Sequence, residues 1–165
     1  MITNSFSRDE LEEIIKKDGY SVYRLAFMNV KKRELADDIY QDVFLKLIKK
    51  KERIDSEEHL KAWLLRTTIN CCKDYWKSRW FKSVLYEDKD LDAFDEEKKT
   101  GYVTECVQKL PEKYRNVIHL YYYEGYSVDE ISKIVNISKS NVQIRLMRGR
   151  TMLKESLEET NYDGK

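Results

Sequence analysis

The 165-residue chain has one proline and five glycines. An all-β sandwich or barrel needs turn-forming residues about every 8–12 positions, so this shortage argues against one. Low-complexity disorder is usually rich in proline, glycine or serine, and the same shortage argues against that too. Three cysteines, two of them adjacent at Cys71 and Cys72, make no disulfide framework. With only His59 and His119 besides, ligands for a zinc site are too few, and buried thiols in a reducing cytoplasm are expected. No apolar run approaches the roughly 18 residues that span a bilayer, and the first residues lack the basic-then-apolar layout of a signal peptide. The expectation is a cytoplasmic protein with no membrane insertion. No P-loop, nucleophile elbow or metal-ligand spacing occurs, so neither a cofactor nor an enzyme activity is expected.

Net charge is also scarce: 31 basic residues against 30 acidic ones leave +1. The distribution says more than the total. Residues 61–82 hold six cations against Asp74 alone, and residues 139–154 hold five cations and no acid. Between them, residues 87–97 hold seven acids against Lys89. A basic–acidic–basic layout of this kind suggests contact with nucleic acid.

Apolar spacing predicts helices and no strand. Ser7 and Glu10 form a capping-box pattern ahead of a first helix in which Gly19 is a possible break. A second helix is expected over 33–50, with Leu35, Ile39, Val43 and Leu47 on one face, and a third from Glu57 to about Trp80. Residues 81–102 read as an acidic linker. Beyond it come a helix over about 103–109, a helix started by Pro111 and running to Glu124, and a short helix capped by Ser127 and Glu130. A last helix is expected over about 139–158. The fold class is all-α, two small helical bundles of residues 1–80 and 103–160, the second a helix-turn-helix domain of the winged-helix-like class.

Helical wheels at about 100° per residue separate buried from available sides. On the last helix Val142, Leu146, Gly149 and Leu153 form the buried stripe. Ser140, Ile144, Met147 and Thr151 lie opposite, flanked by Gln143 and Arg148, with Arg145 at the margin. Short polar and apolar side chains can meet base edges in a major groove while cations at the rim meet phosphates. On the third helix Leu60, Leu64, Thr68, Cys71 and Tyr75 make the core face. Arg66, Asn70, Lys73 and Lys77 lie opposite, with Trp63, Trp76 and Trp80 off the core stripe beside them. Cations that track phosphates and aromatic faces that replace lost stacking suit unpaired bases, at ~1–3 kcal/mol per base.

At these residues the chain resembles a known family. Leu110, Pro111, Glu112, Tyr114 and Arg115, then Glu124 to Ser127, Glu130, Ile131, Ile137, Ser138, Val142, Arg145, Arg148 and Arg150 look like region 4 of bacterial sigma factors. Asp38, Gln41, Asp42, Phe44, Leu45 and Lys46 resemble the region 2 helix that docks on the polymerase clamp. Lys61, Trp63, Arg66, Asn70 and Asp74 resemble the segment that melts promoter DNA. The nearest group is the small extracytoplasmic-function (ECF) type. Two departures stand out. Asn136 replaces the usual turn glycine, which Asn tolerates at modest cost, and Gly149 replaces the usual alanine, which should weaken its helix by around 1 kcal/mol.

The resemblance implies an alternative sigma factor. It would bind core RNA polymerase, at its clamp and flap regions, and promoter DNA; such factors often also meet an anti-sigma factor. Polymerase binding would fall to Asp38, Gln41, Asp42 and Leu45. Arg66, Asn70, Lys73, Trp76, Lys77 and Trp80 would hold melted −10 DNA. Lys139, Ser140, Asn141, Gln143, Ile144, Arg145, Met147 and Arg148 would read the −35 duplex. The linker would thread toward the RNA exit path, where its acids mimic nascent RNA. About 24 extended residues reach at most ~80 Å, enough for DNA sites two turns (~68 Å) apart. Two other readings compete. An autonomous helix-turn-helix regulator would bind duplex DNA without polymerase, usually as a dimer, yet no dimerisation heptads are present. A metal-dependent nuclease would use Asp88, Asp90 and Asp92, but these lie in an aperiodic stretch, whereas catalytic ligands need rigid placement.

Overall fold

The computed structural model describes residues 6–86 and 101–163. Among them are helices and connections and no strand. The chain divides into two compact units, residues 1–96 and 97–165.

The first unit packs α1 (Arg8–Val30), α2 (Arg33–Lys49) and α3 (Glu57–Tyr86) against one another. The expected capping box starts α1: Ser7 Oγ accepts from the Glu10 amide at 3.2 Å, and Glu10 accepts from the Ser7 amide at 2.9 Å. Arg53 donates to the same Glu10 carboxylate at 3.0 Å and to Asp55 at 2.9 Å, tying the α2–α3 connection to the start of α1. Gly19 does not break the helix. It is buried, and a Cβ there would lie 2.9 Å from the Tyr40 hydroxyl, so the glycine makes room for the end of that side chain from α2. Val22, Ala26 and Val30 of α1 meet Ala36, Ile39, Val43 and Leu47 of α2 and Leu60 and Leu64 of α3 in the core. Ile15 of α1 is exposed. Asp18 is buried instead, and burial pushes its carboxyl up, against the pull of Lys61 and Lys17.

α3 does not stop near Trp80 but continues to Tyr86. No glycine or proline interrupts residues 57–86, so local propensity gives it no reason to end earlier. The expected linker therefore loses its first six residues to α3. Its acid cluster, residues 87–97, lies outside the described residues.

The second unit contains α4 (Tyr102–Gln108), α5 (Glu112–Ile118), α6 (Val128–Val135) and α7 (Lys139–Asp163). Pro111 is the N-cap of α5, and its carbonyl accepts from the amides of Tyr114 at 3.0 Å and Arg115 at 2.9 Å. Buried Arg115 folds back and donates to the Leu110 and Gln108 carbonyls at 3.0 and 3.3 Å, closing the end of α4. The helix expected to run straight to Glu124 changes instead to a π-helical turn at His119–Tyr123. The wider turn stacks the Tyr123 ring on buried His119, with centroids 5.1 Å apart. The helix-turn-helix follows. Ser127 accepts from the Glu130 amide at 3.2 Å, the hydroxyl half of the second expected box. Asn136 turns the chain at φ 58°, in the left-handed conformation its short amide side chain tolerates.

Candidate nucleic-acid interfaces

Thirty residues of unbroken helix give α3 two long sides. Leu60, Leu64, Thr68 and Cys71 are buried as expected, Tyr75 partly so, and Thr68 turns its hydroxyl inward onto the Leu64 carbonyl at 2.7 Å. The buried side is wider than the wheel indicates, because Leu65, Ile69 and Cys72 form a second buried row. Arg66, Asn70, Lys73 and Lys77 are exposed on the other side.

The three tryptophans separate into three environments. Trp63, grouped by the wheel with the exposed ones, packs against the core, with Lys50 Nζ 5.7 Å from its ring centre. Trp76 is 38% exposed, and its indole N–H donates to the Asn29 carbonyl at 3.0 Å. That carbonyl lies in the last turn of α1, where the helix offers it no partner of its own. Trp80 is 68% exposed.

On α2, Asp38, Gln41, Asp42 and Leu45 are all exposed. Leu45 is 49% exposed and Ile48 47%, so two large apolar side chains face outward one turn apart. Ile48 is absent from the docking residues expected from sequence, although its i+3 spacing from Leu45 is a usable signal. Asp42 is engaged within the chain. The Cys71 thiol donates to its carboxylate at 3.3 Å, and Lys46 Nζ lies 3.7 Å from the same oxygen. Burial and the bond to Asp42 push the Cys71 thiol up, so it stays protonated.

Ser138 caps α7 by accepting from the Asn141 amide at 3.1 Å. Val142 and Leu146 are buried, Gly149 lies against α5, and Leu153 is half-buried. Lys139, Ser140, Asn141, Gln143, Ile144, Met147 and Arg148 are exposed, while Arg145 is half-buried. Lys139 pairs with Asp129 of α6 at 3.2 Å, and Lys133 shares that carboxylate at 3.3 Å. These bonds hold the Asp129 carboxyl below its ordinary value. Tyr114 of α5 is held below the usual phenol range by Arg148 first and by Lys113. Arg150 donates to the Tyr122 hydroxyl at 2.6 Å.

An apolar groove of about 430 Å³ opens in this unit, lined by Val103, Val107, Ile118, Tyr122, Leu153 and Leu157 among others. The apolar spacing of no single helix signals it, because its walls come from segments far apart in the sequence. Among the described residues, no helix is long and apolar enough to cross a membrane, and no three His, Cys, Asp or Glu residues are placed to hold a metal ion.

The chain matches two family patterns: Sigma-70 region 2 over residues 15–82, and Sigma-70, region 4 over residues 100–153. It is 31% identical over 134 residues to the RNA polymerase sigma factor SigZ of Bacillus subtilis, covering 78% of this chain and 76% of that one. It is 29% identical over 158 residues to the ECF RNA polymerase sigma factor SigM of the same organism, covering 87% and 93%. The fold is shared with two solved structures. One is CnrH in complex with the cytosolic domain of CnrY, with a TM-score of 0.71, 20% identity, and 95% and 93% coverage. The other is the sigma factor RpoE in complex with the anti-sigma factor NepR from Bartonella quintana, with a TM-score of 0.70, 19% identity, and 89% and 96% coverage.

Proposed function

Because the chain belongs to the sigma-70 family of RNA polymerase sigma factors, within its ECF group, we propose that it is an alternative sigma factor. It binds core RNA polymerase in the cytoplasm and directs transcription initiation at a particular set of promoters, with no catalysis of its own. Residues 1–80 form the region 2 domain and residues 103–160 the region 4 domain. The intervening 81–102 connect them, the first part as a continuation of α3.

The observation that carries this reading is the order of the matches, region 2 and then region 4, on two units that each present an exposed cationic helix. An autonomous duplex-binding regulator is not favoured, since it leaves the region 2 match unexplained.

In this reading the outer face of α2, with Asp38, Gln41, Asp42 and Leu45, docks on the polymerase clamp. Ile48 extends the apolar part of that face. The α3 strip of Arg66, Asn70, Lys73, Trp76, Lys77 and Trp80 captures unpaired −10 bases, its cations on phosphates and its indoles on base faces. Trp76 offers a fixed ring and Trp80 an adaptable one. α7 enters the major groove of the −35 duplex with Ser140, Asn141, Gln143, Ile144 and Met147 toward base edges. Lys139, Arg145 and Arg148 lie along the phosphates. The apolar groove beside Tyr122 takes the polymerase flap, and an anti-sigma factor would act by covering the α2 face or this groove.

The test is reconstitution. Purified chain is added to bacterial core polymerase on genomic DNA, and the 5′ ends of the transcripts are sequenced. New start sites sharing two motifs about two helical turns apart are expected. Absence of new starts, together with failure to co-purify with core, would overturn the reading.

A further inference from the structure

We infer that Lys46 belongs to the single-strand surface and that Asp42 masks it until the α2 face is engaged by a partner. This rests on the reading of α2 as the docking helix and α3 as the single-strand surface.

The geometry is a closed triangle between the two helices. Lys46 Nζ is 3.7 Å from Asp42 Oδ2 and donates to Cys71 Sγ at 3.4 Å, and the Cys71 thiol donates to that same Asp42 oxygen at 3.3 Å. Lys46 also feels the charge of Asp74, which is exposed on α3 between the azimuths of Cys71 and Asn70, so Lys46 reaches from α2 to the border of the cationic strip. Burial pulls the Lys46 ammonium down, but Cys71, Asp42 and Asp74 together hold it above its ordinary value, so it is charged. Its charge is answered by Asp42 and Asp74, which leaves this corner of the strip unattractive to a phosphate.

Asp42 can serve either of two partners. It sits four residues before Lys46, the favourable order for an acid–base pair on a helix. It also lies half-exposed on the face that carries Leu45 and Ile48. A partner that offers Asp42 a cation of its own draws the carboxylate outward. Lys46 then loses its nearer counter-charge, and its ammonium, on a four-carbon stem, can turn to the phosphate of a strand lying along Arg66, Asn70 and Lys77. An ion pair this exposed holds weakly, so the mask is reversible and its removal should change affinity only about 2–5-fold. Polymerase docking and DNA capture are thereby linked through one carboxylate, and the free chain holds back part of its grip on DNA.

The test uses the full chain without polymerase and a fluorescein-labelled 20-nucleotide oligo-dT, with binding followed by anisotropy over a series of salt concentrations. Asp42→Asn is expected to bind about 2–5-fold more tightly than wild type. Its salt dependence should steepen by about 0.7 in log–log slope, the increment for one further phosphate on a single strand. Adding Lys46→Gln to Asp42→Asn should abolish both changes. Equal tightening with and without Lys46 would mean that removing any negative charge suffices, which overturns the mask, as would no tightening at all. Melting temperatures of both variants check that the fold is kept. Co-purification of Asp42→Asn with core polymerase is measured in parallel. Undiminished core binding would remove Asp42 from the docking face, and with it the trigger, while the oligonucleotide result would still decide whether Asp42 masks Lys46.

Discussion

In an isolated helix, an alanine at position 149 would gain about 1 kcal/mol over the glycine that stands there. In the folded chain a Cβ would lie 2.9 Å from Ile118 Cγ1 and 3.2 Å from Cδ1, and Ile118 is 1% exposed. Overpacking of this kind costs about 1–3 kcal/mol. Gly149→Ala should therefore lower stability by about 1 kcal/mol net in a denaturant melt; a gain would show that Ile118 can yield. Asp18 makes the opposite case, a charge that burial disfavours. Its native carboxyl lies above the ordinary value, so the folded state holds its proton more tightly than the unfolded chain does. The stability linked to this group is complete below the unfolded value and is lost as pH rises through the folded one. Asp18→Asn, which imitates the protonated form, should melt at a higher temperature than wild type near pH 7. The difference should shrink as pH falls and vanish in acid, and an equal difference at every pH would assign it to something other than the carboxyl's charge.

At the scale of elements, what the sequence discloses is direction, and what it hides is neighbours. The faces of α3 and α7 are legible because apolar spacing fixes angle, and Leu60, Leu64, Val142 and Leu146 are buried where the wheel puts them. Trp63 is not legible, because its burial depends on packing against the other two helices and on Lys50, which no α3 wheel contains. The π turn at His119–Tyr123 has no signature in apolar period, and the groove beside it arises only when α4, that turn and α7 are assembled. Past Trp80 the apolar period is not sustained and the acid cluster follows, which suggests an end to α3 there, but neither ends a helix. In the proposed reading the side chains of α7 divide between base edges and phosphates. Gln143→Ala should change which −35 sequences the holoenzyme prefers, measured on a randomised promoter library, since an amide can bond an adenine edge at two points. Arg145→Ala should instead weaken all sequences alike and flatten the salt dependence. If Gln143→Ala lowered every promoter in proportion, its side chain would not be reading bases.

Across the whole molecule, the net charge of +1 is a cancellation between cationic and acidic stretches of the sequence. Local density, not the total, steers a polyanion. Changing Asp88, Asp90, Asp92 and Asp95 together to Asn raises the formal charge from +1 to +5 and leaves both cationic helices intact. Binding of the free chain to arbitrary DNA should strengthen, most at low salt, and the ratio of abortive to full-length transcripts from the holoenzyme should shift. An unaltered ratio would remove the acids from any part in initiation. Between the core of its unit and the surface proposed to hold DNA, α3 runs without a break, from its buried residues through Trp76 to Trp80. Arg66 and Asn70 lie before the last core contacts of that helix, and Lys73, Lys77 and Trp80 lie among or after them. Their common azimuth is kept only by residue count. One residue inserted between Cys72 and Lys73 would rotate the later members by about 100° from the earlier ones. Seven inserted residues would return them to within about 20°, displaced by roughly 10 Å. On this proposal the grip on DNA is stored as a phase, in which substitutions are adjustments of amplitude and a single insertion or deletion is a loss of synchrony.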